Sequence, residues 1–190
     1  MSKAIKTETV SGMNNSPEYI LTSDPTNSLK LEDEFPYTAT REHPTDESKI
    51  IFETTYKGYH IIIKSICGMF PTAYVDVKMK ELLNVRWNER RNVPFEVTYE
   101  GDMIHGSTKL LPETGKYATG DDRKGKFIGW DYGHFGDYNA MMPELGGTRY
   151  SIAMICHDAI KFIDNCVIPE REAINEVKRA NRATSKKSGK

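Results

Sequence analysis

Apolar positions along the chain fall into three kinds of stretch. From residue 1 to about 48 they are scattered among Ser, Thr, Asn, Pro, Asp and Glu, with no sustained period of two or 3.6. A stretch of that kind buries too little surface to offset the entropy of ordering, so it reads as a disordered or loosely draped acidic arm. Its apolar knots are Tyr19-Ile20-Leu21 and Phe35-Pro36-Tyr37, the points able to dock on the domain or on a partner.

From Ile50 the pattern becomes that of strands. Ile50 to Thr55 and Tyr59 to Ile63 are β-branched and aromatic runs on either side of Lys57-Gly58, which predicts a hairpin with its turn there. Ala73-Tyr74-Val75-Asp76-Val77 alternates like a half-buried strand after a Gly68…Pro71 loop. Residues 78–94 mix charged side chains with Leu82, Leu83, Val85 and Trp87, which predicts a short helix stopped by Pro94. Phe95 to Tyr99 predicts another strand, leading through Gly101 to Ile104-His105-Gly106. Residues 112–126 carry turn chemistry without an apolar pattern and read as an exposed loop able to cover a site. Phe127 to Trp130 reads as the end of a buried strand, next to the one at 95–105 in the sheet.

The third pattern is helical. Ile152, Ile155, Cys156, Ala159, Phe162, Ile163 and Val167 share one helix face, Ser151 or Thr148 can cap its start, and Pro169 lies just past its end. His157 and Asp158 read as solvent-facing. The sum is an α+β fold: a small antiparallel β-sheet, one main C-terminal amphipathic helix packed on it, a disordered N-terminal arm and a basic C-terminal tail. The units are an arm at 1–48, one domain at 49–168 and the tail at 169–190.

Charge refines this picture. The chain balances 26 Lys and Arg against 27 Asp and Glu. It therefore lacks the basic excess that drives non-specific nucleic-acid binding. Residues 1–48 hold four basic and nine acidic side chains, residues 49–167 fifteen of each, and residues 168–190 seven basic and three acidic. Nucleic acid is thus a contact for the tail alone, and not the favoured one. Three cysteines without a C-x-x-C pair suit reduced thiols, with Cys156 and Cys166 read as small apolar residues. No stretch approaches a membrane-spanning length, and the N-terminus lacks a signal-peptide core, so a cytoplasmic protein with no membrane partner is expected.

The candidate chemistry is concentrated in Phe127 to Tyr138, where Asp131, His134 and Asp137 alternate with Gly129, Gly133 and Gly136. If His105 joins them, two imidazoles and two carboxylates make a mixed N/O set for Zn²⁺, Mn²⁺ or Fe²⁺ with a position left for water. Asp131, His134 and Asp137 would then be the catalytic residues of a hydrolase. Without metal, the same residues can form a hydrogen-bonded brace that fixes the loop, or a ligand pocket without catalysis. Ligand contacts are expected from His105, Thr108, Trp130, Arg86 and Arg149, the arginines pairing with phosphate. Arg86, Arg90 and Arg91 with Trp87 read either as an anion-binding or base-stacking patch or as a solvated face with one Trp capping the core. Ser107 and Cys67 sit in no recognisable nucleophile context.

The order His105-Gly106-x-Thr108, then Gly129-Trp130-Asp131-x-x-His134-x-Gly136-Asp137, then a helix of the Tyr150 to Val167 kind, resembles a family of small, functionally unassigned bacteriophage and prophage proteins. Their usual pattern is a His-Gly-Gly-Leu-Thr segment followed by Trp/Phe-Ile-Gly-Phe-Asp-x-x-His-x-Gly-Asp; Ala73-Tyr74-Val75 is similar to their Gly-Tyr-Val strand. The resemblance covers roughly residues 56–167, and Ser107-Thr108 stands where Gly-Leu-Thr is usual. It implies a phage or prophage origin and a compact α+β fold. The function expected is that of a phage-encoded accessory protein in the host cytoplasm. Its polar His/Asp pocket would bind a nucleotide-like ligand or a host protein; the alternative is a metal-dependent hydrolase acting on a phosphoester or nucleotide.

Overall fold

The computed structural model describes residues 7–10, 19–23, 27–90 and 92–188. The fold is α+β, with a curled antiparallel sheet and a C-terminal helical segment packed on one of its faces. Its strands are β1 (Thr7–Val10), β2 (Tyr19–Ser23), β3 (Glu47–Tyr56), β4 (Tyr59–Ile66), β5 (Phe70–Asp76), β6 (Tyr99–Ile104), β7 (Ser107–Leu111), β8 (Lys116–Gly120) and β9 (Arg123–Asp131). They run in the order β1-β2-β3-β4-β5-β9-β6, with β7 on the other part of β3 and β8 beyond it.

The turn between β3 and β4 falls at Lys57-Gly58, where Tyr56 pairs with Tyr59 and both turn residues have positive φ, 47° and 80°. Two successive positive φ angles match the right-handed twist of the flanking strands, which is why glycine occupies the second position. β5 and β9 continue the sheet with Tyr74 opposite Gly129. A side chain on Gly129 would overlap the Tyr74 ring, so the glycine lets that ring lie flat across β9.

Alternation along β4 sends its residues to two cores. Ile61 and Ile63 join the main core with Val75, Ile128, Trp130 and the helix, whereas Ile62 packs on the opposite face with Ile104 and Phe127. The helix α1 (Ile152–Phe162) starts at Ser151, whose side chain accepts from the Met154 N–H at 3.2 Å. Its buried face is the expected stripe, Ile152, Ile155, Cys156, Ala159 and Phe162.

Several local expectations are corrected. The helix does not stop before Pro169: a π-turn at Ile163–Val167 leads into α2 (Ile168–Ser188). The Ile168 N–H reaches back to the Ile163 carbonyl, and the wider turn lets the chain pass Pro169, which lacks an N–H and would crowd a regular turn. Residues 78–94 form two short 3₁₀ turns, Lys80–Asn84 and Trp87–Glu89, rather than a helix. Residues 112–126 are not a loop. They supply β8 and the start of β9, and β8 has no apolar pattern because it lies exposed at the edge. The strand expected at Phe95 begins at Tyr99, and Phe95 instead stacks on Trp130 with ring centroids 3.7 Å apart.

Of the two expectations for the arm, draping is what the described residues show. β2 pairs with β3 through Thr22 and Thr55, and Leu21, Leu31, Phe35 and Ala39 are buried. Among the described residues no helix is long and apolar enough to cross a membrane.

Candidate functional site

β9 carries its buried run Phe127 to Trp130 through the sheet and releases Asp131 at its end. The chain then turns, and the turn is held by its own acidic side chains. Asp131 Oδ1 accepts from the Gly133 N–H at 3.0 Å, and Asp137 Oδ2 accepts from the His134 N–H at 3.0 Å. The other oxygen of Asp137 accepts from the Tyr150 hydroxyl at 2.5 Å, which ties the turn to the residue before the helix cap. Backbone bonds between Tyr138 and Thr148, and between Thr148 and Gly136, close the loop.

The His134 imidazole sits among carboxylates: Nδ1 lies 3.6 Å from Asp131 and 3.9 Å from Asp137, and Nε2 lies 4.0 Å from Glu96. Asp131, His134 and Asp137 are therefore brought together as expected. His105 is not. β6 runs antiparallel to β9, so Tyr99 faces Gly129 while Ile104 faces Arg123, at the end of β9 opposite Asp131. That is about 26 Å along the strand. His105 pairs instead with Asp122 at 2.8 Å, and Thr108 lies opposite Ser48 on β7. The four-residue metal set does not assemble, and among the described residues no three His, Cys, Asp or Glu side chains are arranged to hold a metal ion.

The expected phosphate-binding arginines are also elsewhere. Arg86 is exposed and pairs with Glu89 at 3.2 Å, and Arg90 pairs with Glu170 at 3.0 Å. Arg91 lies outside the described residues. Trp87 is buried against Phe162 and donates to the Leu82 carbonyl, the core-capping role rather than a stacking platform. Arg149 lies over the Tyr138 ring at 3.9 Å and pairs with Glu34 at 2.8 Å, where it holds the arm.

Beside the turn is a cavity of about 310 Å³. Glu96, Asp131, Asp137 and Asp158 bring four carboxylates to its walls, and His134 is its one basic group. Phe95, Trp130, Tyr132 and Tyr150 supply the aromatic surface. Trp130 donates its indole N–H to the Tyr132 hydroxyl at 3.0 Å, and Tyr132 donates to Asp158 Oδ2 at 3.0 Å. Burial pushes the Asp158 carboxyl above its ordinary range, against the smaller opposing pull of the Tyr132 hydrogen bond and of Lys161 and His157. The Tyr132 hydroxyl is pushed far up by burial and by the neighbouring Asp158 charge. Burial and the bond to Asp137 raise Tyr150 as well.

Asp158 was expected to face solvent, yet it faces the cavity. The signal was present in the helical period, since Asp158 follows Ile155 by three residues and shares its side of the helix. Glu96 and Tyr150 come from distant segments, and nothing local marks them. No protein-family model, curated protein or solved structure matches this chain.

Proposed function

We propose that this chain is a binding protein for a cationic group, an alkylammonium or guanidinium, held in the acidic, aromatic-walled cavity at the end of β9. One observation carries the reading: four carboxylates and four aromatic rings surround about 310 Å³, with no Lys or Arg among the lining residues. Carboxylates neutralise a cation directly, and ring faces attract it through their quadrupole, more strongly where water is excluded. Burial raises the Asp158 carboxyl, and an incoming positive charge would favour its ionised form.

Binding without catalysis is the class expected from the sequence, but the ligand chemistry differs. The phosphates of a nucleotide would meet four carboxylates of their own sign. The hydrolase alternative loses support because His105 lies at the other end of β9, paired with Asp122, so the mixed imidazole and carboxylate set expected for a metal is not assembled. A host protein that presents a Lys or Arg side chain is the partner form of the same ligand, and the accessory role in a phage-infected cell is proposed with it. Phe135 supports that form, being fully exposed next to His134.

The test is calorimetric titration with agmatine, which carries a guanidinium and an alkylammonium, and with a short arginine-containing peptide, on wild type and Asp158→Asn. Saturable binding of either, lost in a folded Asp158→Asn protein, is expected. Binding of the peptide alone identifies a protein partner as the source of the cation. A nucleotide that binds while agmatine and the peptide do not overturns the reading, as does binding unaffected by Asp158→Asn.

A further inference from the structure

A second cavity, of about 420 Å³, opens on the face of the sheet away from α1 and is lined by Lys64, Tyr74, Tyr99, Met103, Ile104 and His105, with Asp102 also reaching it. It is separate from the acidic site and has the opposite character. Lys64 lies on β4 two residues after Ile62, so it points to the same face as the smaller apolar cluster of Ile62, Ile104 and Phe127.

Lys64 is 6% exposed. Its ammonium donates to the backbone carbonyl of His105 at 2.8 Å, at the corner where the chain passes from β6 to β7. That partner is neutral, and among the described residues no carboxylate lies within ion-pair distance of Lys64. Asp102, the cavity's one carboxylate, is largely exposed and already pairs with Lys126 at 2.8 Å. Burial holds the Lys64 amine below the ordinary lysine range, against a smaller opposing pull from Cys67. Buried charges in proteins are as a rule paired.

Apart from Asp102 and His105, whose imidazole pairs with Asp122 at 2.8 Å, the rest of the wall is apolar and aromatic. Tyr74 and Tyr99 meet edge to face with centroids 5.4 Å apart, and the Tyr99 hydroxyl is occupied by the Met103 carbonyl. One ammonium matches one negative charge, which favours a monoanion over a phosphate dianion. The walls suit a ligand whose remainder is apolar.

We propose that this cavity binds a small monocarboxylic acid, its carboxylate meeting the Lys64 ammonium and its apolar body lying against Tyr74, Tyr99 and Met103. Lys64 supplies the counter-charge, and the edge-to-face tyrosine pair supplies the surface for a ring.

Methyl NMR of protein labelled at methionine tests it, with benzoate as probe, benzamide as its uncharged counterpart, and inorganic phosphate. Benzoate is expected to shift the Met103 methyl saturably and to bind at least tenfold more tightly than benzamide. Lys64→Met, of similar length and without charge, should abolish that preference. Should this variant fail to fold, the benzoate-to-benzamide ratio on wild type decides alone. Equal binding of the two, no shift at Met103, or a shift with phosphate but not benzoate overturns the proposal. Agmatine should leave the Met103 methyl unmoved, so this test and that of the acidic cavity succeed or fail separately.

Discussion

The Tyr150 hydroxyl donates to Asp137 at 2.5 Å across thirteen residues, and through that bond the turn after β9 is fastened to the start of α1. Asp137 also takes the His134 N–H, so one carboxylate holds both ends of the loop. Hydrogen bonds to a charged acceptor contribute about 1.5–3 kcal/mol each. Tyr150→Phe is expected to lower the unfolding free energy by about 2 kcal/mol in urea titration. Asp137→Ala, which orphans two donors, should cost more than Tyr150→Phe. If both variants unfold at the wild-type urea midpoint, the brace contributes nothing.

Six tyrosines, Tyr37, Tyr56, Tyr74, Tyr99, Tyr132 and Tyr150, have hydroxyls raised above their ordinary range, burial being the largest cause in each. Tyr56, which donates to Asp164, is pushed up to about 12. A group raised in the folded state holds its proton more tightly there than in the unfolded chain. Its contribution is complete below the unfolded value of about 10 and falls as pH rises through the folded value. Stability should therefore decline from about pH 10 to beyond 12. Tyrosine absorbance at 295 nm should titrate later in the native protein than in urea, and superimposed curves would contradict the burial of these hydroxyls.

Arg149 fastens the arm. Its guanidinium lies over Tyr138, reaches the Tyr37 ring at 5.1 Å and pairs with Glu34. Arg149→Ala is expected to raise protease cleavage within residues 27–48 severalfold at constant urea midpoint. Arg149→Lys should restore little, because an ammonium lacks the flat face that stacks between rings. Cleavage unchanged in the alanine variant would show that the buried Phe35 and Leu31 and the backbone bonds of the arm to Gly68, Tyr150, Ile152 and Ala153 hold it without Arg149.

Gly129→Ala places a methyl group against the Tyr74 ring and 2.9 Å from the Ala73 carbonyl. Neither the β5 backbone nor a half-buried ring can withdraw without disturbing the β5–β9 pairing. Overpacking of this kind costs about 1–3 kcal/mol, read as a fall in melting temperature. Tyr74→Ala in the same chain should recover part of the loss, and a melting temperature unchanged by Gly129→Ala would show that the ring moves freely.

Elements whose geometry repeats over a few residues are legible in the order of the amino acids. A β-branched and aromatic run marked β4, alternation marked β5, the pair Lys57-Gly58 marked a turn that needs positive φ, and the stripe from Ile152 to Val167 marked the helix. The spacing of Asp131, His134 and Asp137 was legible as a candidate cluster, although residues three apart on a turn need not face the same way, and the side chains meet here because the turn closes on them. Patterns that depend on context were not. β8 is exposed on an edge and shows no alternation, and the helix crosses Pro169 through a π-turn that propensity does not foresee.

Which further residues join that cluster depends on the fold. The antiparallel register of β6 on β9 sends His105 to the far end of the strand and next to Lys64, while Glu96, Tyr150 and Asp158 arrive from separate segments. Strand direction and register set those distances, and each is fixed by the packing of the whole sheet rather than by neighbours in sequence. The sign of each cavity follows from the same cause: carboxylates gather where β9 ends, and the Lys64 ammonium, with no carboxylate partner among the described residues, lies where β4 passes beneath the β6–β7 corner.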